Sequence, residues 1–263
     1  MEPADFYSGI VVDAYAKLKS STFEAEPYAD FIKRWGEPAL EIGCGDGEPM
    51  LDLCAAGLDV DGVDSSVDMV ERCRQNAAEG GIATNVFHQR VEALALHRRY
   101  ASIYFAGPTF NLLVDDEAAR HALLALREHL AFDGAALIPL WVPEPTPVGE
   151  LGVTRATDDG PDIELRYTPL SETYNKALRT RVTTSRYERV TAGGTELADR
   201  EWIIHWHTPQ TFSALCEDAG LDIVGMVDDD TSDEASHAST SFTATLRRSP
   251  ASRTNGWKTG PLN

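Results

Sequence analysis

Cysteine is scarce in this chain of 263 residues: Cys44, Cys54, Cys73 and Cys216 form no Cys-x-x-Cys pair and lack the density of a secreted disulfide scaffold. They read as reduced thiols. Positive charge is also in short supply, with 23 basic residues against 42 acidic ones and a formal net charge of −19. Such a surface repels a polyanion at long range, so nucleic acid is not expected as a partner, and solubility is the plainer reading of the acidity. Long apolar runs are missing: Leu137 to Val142 is far too short to span a bilayer, and the opening Met1-Glu2-Pro3-Ala4-Asp5 is acidic where a signal peptide is basic. These absences predict a cytoplasmic chain that is neither exported nor inserted in a membrane. With 43% apolar residues, it can bury one sizeable core carrying an inserted or appended lobe.

Apolar residues at helical spacing (Ile10, Val11, Ala14, Leu18, then Tyr28, Phe31, Ile32, Trp35) predict two N-terminal helices joined near Ser20 to Phe23. Ala39-Leu40-Glu41-Ile42 then forms a short apolar run that stops at a glycine cluster, and a helical stretch through Met50, Leu51, Leu53 and Cys54 follows. This strand and helix alternation repeats with Asp59 to Val63 and Ser66 to Ala78, then Val86 to His88, then Ala101 to Ala106 and Asp116 to Leu130. A fifth strand, Ala135 to Val142, begins just after Asp133-Gly134. Each parallel pair needs a crossover, so the pattern implies a doubly wound sheet covered on both faces, with ligands beyond the carboxyl ends of its strands.

From Pro143 to His207 the spacing changes to the polar and apolar alternation of antiparallel strands, at Ile163 to Tyr167, Thr180 to Val190 and Glu201 to His207. Thr208-Pro209-Gln210 opens a further helix ending at Gly220, and the sheet resumes at Asp222 to Val227 and Thr240 to Leu246. The expected divisions are a helical lid over 1–36, a cofactor-binding core over 37–142 and an antiparallel insertion over 143–207 that serves substrate or oligomer contacts. The core is completed over 208–248, and a loose tail occupies 249–263.

The turn after the first strand reads Gly-x-Gly-x-Gly (Gly43, Gly45, Gly47), so a backbone without Cβ atoms can approach a ligand closely. A dinucleotide fingerprint would need glycine at position 48, where Glu48 stands. Asp46 and Glu48 also flank the turn with negative charge, which suits a cationic or zwitterionic ligand better than a pyrophosphate. About 20 residues on, Asp64 ends the second strand, where a carboxylate can accept both hydroxyls of a ribose.

The runs Leu40-Glu41-Ile42-Gly43-Cys44-Gly45-Asp46-Gly47 and Gly62-Val63-Asp64-Ser65-Ser66 resemble the class I methyltransferase family that uses S-adenosyl-L-methionine, over about residues 37 to 247. The resemblance implies a Rossmann-like, mostly parallel seven-stranded sheet with an antiparallel β insertion. It implies that the loop from Glu41 through Gly43, Cys44, Gly45, Asp46 and Gly47 holds the cofactor, Glu41 and the Gly43 to Gly45 backbone meeting its methionine part. Asp64 would hold the ribose, Ser65 and Met69 would line the adenine, and the backbone of Val91 would meet a ring nitrogen. Relatives often carry an acidic residue where this chain has Arg90, which is either part of the adenine site or a solvated charge, and Glu92 could substitute.

After the fourth strand, Ala106-Gly107-Pro108-Thr109-Phe110-Asn111 stands where the family presents residues to cofactor and acceptor, without the Asn-Pro-Pro-Tyr motif of base-methylating enzymes. Together with Tyr7, Tyr15 and the Trp206 to Phe212 segment, this resembles actinobacterial natural-product N-methyltransferases of the amino-sugar and lincosamide type. By that resemblance Tyr7, Tyr15 and Phe110 are the candidate catalytic residues, each with core packing as its alternative reading. Ser8-Gly9 could interrupt a helix shared by the two tyrosines. His205 and His207 fall on one side of a strand and could supply a base or be structural, and with no third ligand nearby in sequence no metal is expected. Asp115-Asp116 reads as a helix cap. The expected activity is methyl transfer to a small-molecule amine of secondary metabolism. Oxygen methylation, a nicotinamide-dependent oxidoreductase and a non-catalytic binding protein stand as alternatives, and the insertion could pair subunits through a strand edge.

Overall fold

The computed structural model describes residues 6–18 and 23–250. The joint expected near Ser20 and the tail beyond 250 lie outside the described residues. The N-terminal apolar positions form α1 (Ile10–Leu18) and α2 (Glu26–Trp35). The alternating unit follows: β1 (Ala39–Ile42), α3 (Met50–Ala55), β2 (Val60–Asp64), α4 (Val67–Glu79), β3 (Val86–His88), β4 (Tyr100–Phe105), α5 (Asp116–His129) and β5 (Leu130–Trp141). Four antiparallel strands come next: β6 (Arg155–Asp158), β7 (Ile163–Asn175), β8 (Thr180–Thr191) and β9 (Gly194–His205). The chain closes with α6 (Pro209–Asp218), β10 (Leu221–Asp228) and β11 (Ser241–Arg248). Among the described residues, no helix is long and apolar enough to cross a membrane.

The main sheet is seven-stranded in the order β10-β11-β5-β4-β1-β2-β3, parallel except around β11. It is the doubly wound sheet that the strand and helix alternation implies. Chain order reverses between β1 and β4, and the crevice at such a switch point is where α/β sheets bind ligands. Alternate residues of the central strands point to opposite faces. Leu40, Ile42, Ile103 and Phe105 meet α5 and α6 through Leu123, Leu126 and Phe212. Ala39 and Tyr104 meet α2, α3 and α4 through Tyr28, Ile32, Met50 and Val70.

The second sheet runs β6-β7-β8-β9, and Phe6 together with Ile10, Val11 and Ala14 of α1 packs on it against Tyr187. Asp13 of α1 accepts from Arg72 of α4 and from Arg189 of β8, which ties the two sheets together through one carboxylate. The sequence pattern predicted three strands here. The missed β6 is short and mostly exposed, without an apolar alternation to mark it, and the first half of β9 is polar for the same reason.

The fifth strand also starts earlier than Ala135. Tyr100 pairs with Leu130, while Ser102 pairs with Ala135, so residues 131–134 bulge out of the ladder. Gly134 makes this passage feasible, because a Cβ there would lie 2.9 Å from the carbonyl oxygens of both Tyr100 and Ala101. Those atoms are backbone and cannot swing aside. Gly134→Ala is therefore expected to lower stability by about 1–3 kcal/mol through overpacking. Urea denaturation would show it as a lower midpoint at unchanged slope.

Candidate active site

The turn after β1 is held by the end of β2. Gly43 N and Cys44 N donate to the Val63 carbonyl at 2.8 and 3.1 Å, and Gly45 N donates to Asp64 Oδ2 at 2.9 Å. Ser66 N donates to the other oxygen, Oδ1, at 2.8 Å, so the Asp64 side chain has one orientation. Gly43 and Gly45 have φ of 71° and 51°, in the left-handed region that strains residues with a Cβ. A Cβ on Gly43 would also strike Thr109 Cγ2 at 2.6 Å, whereas Gly45 faces open space. Burial pushes the Asp64 carboxyl up, and the two amides and the nearby His88 pull it back down. The cleft above this turn is lined by Gly43, Gly45, Asp64, Ser65, Met69 and Val91, with Tyr7 and Tyr15 from the N-terminal segment. Arg90 lines it too, paired with Glu92 at 2.8 Å.

Beneath the turn, Glu41 is fully buried opposite its β4 neighbour Tyr104. Its Oε2 accepts from the Tyr104 hydroxyl at 2.7 Å, while Oε1 is buried with no hydrogen-bond partner among the described residues. Burial pushes this carboxyl well above the usual range. Glu41 does not itself line the cleft; its idle oxygen is an unused acceptor beneath the turn, where it can receive a cationic group. Tyr28 stacks on Tyr104 at 5.1 Å and accepts from Gly107 N at 2.9 Å, which anchors the turn after β4. Cys44 and Ala106 are buried beside the cleft, and the Asp46 carbonyl accepts from Asn76 Nδ2, so these residues and Gly47 shape the loop without lining the cleft.

A second cavity of about 290 Å³ adjoins the first and shares Tyr7, Tyr15, Thr109 and Leu112 with it. Phe6, Trp141, Tyr167, Tyr187 and Trp202 supply aromatic walls. Gly9, at φ 57°, does separate Tyr7 from α1, yet the two tyrosine rings still meet edge to face at 5.4 Å. Ser66 Oγ donates to the Tyr7 carbonyl, which fixes this segment to the cap of α4. Burial, with Tyr15, Tyr187 and Asp64 nearby, pushes the Tyr7 phenol well up; burial and Asp46 push Tyr15 up to about 12. Both phenols keep their protons at neutral pH. The walls from Tyr167 and Tyr187 were legible only as alternating strand residues, and their role follows from pairing opposite each other in β7 and β8.

Phe110 needs correction as a pocket residue. It has no exposed surface, lines neither cavity, and packs among Phe105, Phe212 and His207 because its helical turn points into the core. His205 and His207 are buried away from both cavities. Asp115 does cap α5, accepting from Ala118 N at 2.8 Å, but Asp116 turns to the histidines, with Oδ1 at 3.0 Å from His205 Nε2 and 3.8 Å from His207 Nδ1. The fold thus supplies the third donor that sequence spacing does not show. Arg179 already supplies a cation there: its guanidinium pairs with Asp116, and Nη1 donates to His207 Nδ1 at 3.2 Å.

Residues 39–134 match the model of a methyltransferase domain family. No curated protein sequence matches the chain. Among solved structures, the CcbJ methyltransferase from Streptomyces caelestis is similar with a TM-score of 0.73 at 18% identity, over 94% of this chain and 99% of that one. The sugar N-methyltransferase KedS8 from Streptoalloteichus has a TM-score of 0.67 at 18% identity, over 90% and 92%. CalS10, an amino pentose methyltransferase from Micromonospora echinaspora, has a TM-score of 0.64 at 20% identity, over 91% and 97%. At these identities the likeness is one of fold.

His207 generates a stability prediction. Burial, with His205 and Arg179 beside it, lowers its pKa to about 3. The unfolded imidazole titrates near 6.5, so the stability tied to neutral His207 is complete above about pH 6.5 and is lost as pH falls toward 3. Thermal midpoints measured from pH 7 to 4 are expected to fall more steeply for the native chain than for His207→Asn, whose amide oxygen can still accept from Arg179.

Proposed function

With a methyltransferase domain at residues 39–134 inside a class I fold, the chain is an S-adenosylmethionine-dependent methyltransferase, and we propose that its acceptor is a small-molecule amine of secondary metabolism. The observation that carries the choice of nitrogen is the lining of the acceptor cavity. Among the described residues, that lining contains neither an imidazole nor a carboxylate.

The cofactor fits the cleft on three counts. Glu41 Oε1 is an idle buried acceptor for an ammonium, Gly45 leaves open space where a side chain would intrude, and the fixed Asp64 carboxylate has lone pairs left for ribose hydroxyls. Met69 and Val91 offer apolar walls for a purine, and Ser65 and Arg90 lie beside them. When bound there, the cofactor supplies a methyl carbon on a cationic sulfur that is already a good leaving group.

The protein's own part is position and dryness, which can contribute several kcal/mol without any covalent chemistry. Tyr7 and Tyr15, shared by the two cavities, orient the acceptor by hydrogen bonds and cannot take its proton. An ammonium entering the aromatic cavity loses water and meets no carboxylate, so its pKa falls and the neutral amine with a free lone pair is favoured. A hydroxyl acceptor, alcohol or phenol, must give up its proton to a base for its oxygen to attack, and among the described residues the lining holds none. The sugar N-methyltransferase and amino pentose methyltransferase folds named above support a nitrogen acceptor.

Two measurements test this reading. In calorimetry, Asp64→Ala is expected to weaken S-adenosylhomocysteine binding by about 10- to 100-fold, as the loss of charge-assisted hydrogen bonds implies. Because burial holds the Glu41 carboxyl well above the usual range, binding is expected to release its proton at pH values where the free chain keeps it, seen as an enthalpy that varies with buffer and disappears in Glu41→Gln. In the second, release of S-adenosylhomocysteine is followed over paired amine and phenol acceptors. Turnover confined to amines, rising with pH through the amine pKa and retained in His205→Gln, supports nitrogen transfer; turnover of phenols alone overturns it.

A further inference from the structure

The acceptor cavity has two ends. One shares Tyr7 and Tyr15 with the cofactor cleft; the other shares Arg155, Tyr167 and Trp202 with a third cavity of about 300 Å³ beneath the antiparallel sheet. In a chain of 42 acidic and 23 basic residues, the acceptor cavity's lining holds, among the described residues, a single charged side chain, and it is a guanidinium, Arg155. Arg155 stacks over Tyr167 at 4.9 Å and forms no ion pair among the described residues.

A second observation points the same way. Arg181 lines the adjoining cavity at 8% exposure, held between Trp141 at 4.8 Å and Trp202 at 5.7 Å. Its Nη1 donates to the Glu144 carbonyl and Glu172 stands 3.7 Å from its Nε, yet that buried Nε makes no hydrogen bond among the described residues. The unused polar capacity of both arginines consists of donors. A planar guanidinium presents paired N–H groups that match a carboxylate, and the ring beneath Arg155 keeps it flat.

Resting on the methyltransferase reading above, we propose that the acceptor is an amphipathic amine that bears a carboxylate at the end away from its nitrogen, and that Arg155 receives this carboxylate. The aromatic walls between the two ends hold the apolar body. Arg181 is a positioning residue that keeps Trp202 and Trp141 in place around it. The amine and the carboxylate are recognised at opposite ends, so the site selects both the compound and its direction of entry.

Calorimetry on the full chain saturated with S-adenosylhomocysteine tests the assignment with three probes: 4-phenylbutyrate, 4-phenylbutyramide and 4-phenylbutylamine. The carboxylate is expected to bind about tenfold or more tightly than the amide, as a charge-assisted hydrogen bond implies, and the margin should shrink with added salt. Arg155→Met should remove the margin and Arg155→Lys restore part of it, with affinity for S-adenosylhomocysteine unchanged in both. Equal binding of carboxylate and amide, tighter binding of the amine, a preference that survives Arg155→Met, or no probe binding at all overturns the proposal. If S-adenosylhomocysteine itself fails to bind the native chain, the methyltransferase reading falls first and takes this one with it.

Discussion

The site depends on the junction between two parallel strands. β1 and β2 run side by side, and the turn leaving β1 donates three amides to the last residues of β2, two to Val63 and one to Asp64. Those bonds need the turn to double back with positive φ at Gly43 and Gly45, which is why glycine stands there. In return, the Asp64 carboxylate is immobilised facing the cleft. A cofactor site whose two main parts hydrogen-bond to each other is built before any ligand arrives, so little ordering is left to be done on binding.

A single carboxylate also organises the acceptor side. Asp13 joins α1 to α4 through Arg72 and to β8 through Arg189, closing the N-terminal segment over both sheets. Tyr7 is fixed on the same segment by the hydroxyl of Ser66, the residue whose backbone also binds Asp64. The N-cap of α4 therefore touches the Asp64 carboxylate on one side and the backbone of Tyr7 on the other. Cofactor cleft and acceptor cavity share walls because they share this anchor.

Local chemistry was legible in the sequence wherever one short segment determines it. The glycine turn, Asp64 at its strand end and the Thr208 cap follow from periodicity and turn residues read over a few positions, while the mostly parallel seven-stranded sheet was what the family resemblance implied. The acceptor cavity was not legible, since Trp141, Arg155, Tyr187 and Trp202 come from four strands whose register only the folded sheets define. Phe110 shows the reverse failure. Its place after β4 is a site position by resemblance, but a helical turn directs the ring to the core, and Thr109 and Leu112 of the same turn face the cavities instead. Asp116 and His205, 89 residues apart, meet only in three dimensions.

The same dielectric logic explains why two buried acids can differ in use. Glu41 and Asp64 are both raised by burial, but Asp64 is countered by two backbone amides and remains suited to accept hydroxyls, whereas Glu41 has one phenol and an idle oxygen. An unpaired buried carboxyl is costly, and a ligand cation removes that cost while gaining an ion pair in a medium where it is strong. The acceptor cavity reverses the arrangement. Under the proposed nitrogen transfer, it offers an arriving amine no countercharge among the described residues, so the ammonium form is penalised and the neutral form enters ready to react. In that proposal, selection of one cationic group and neutralisation of another follow in adjoining spaces from placing a carboxyl at the first and withholding it from the second.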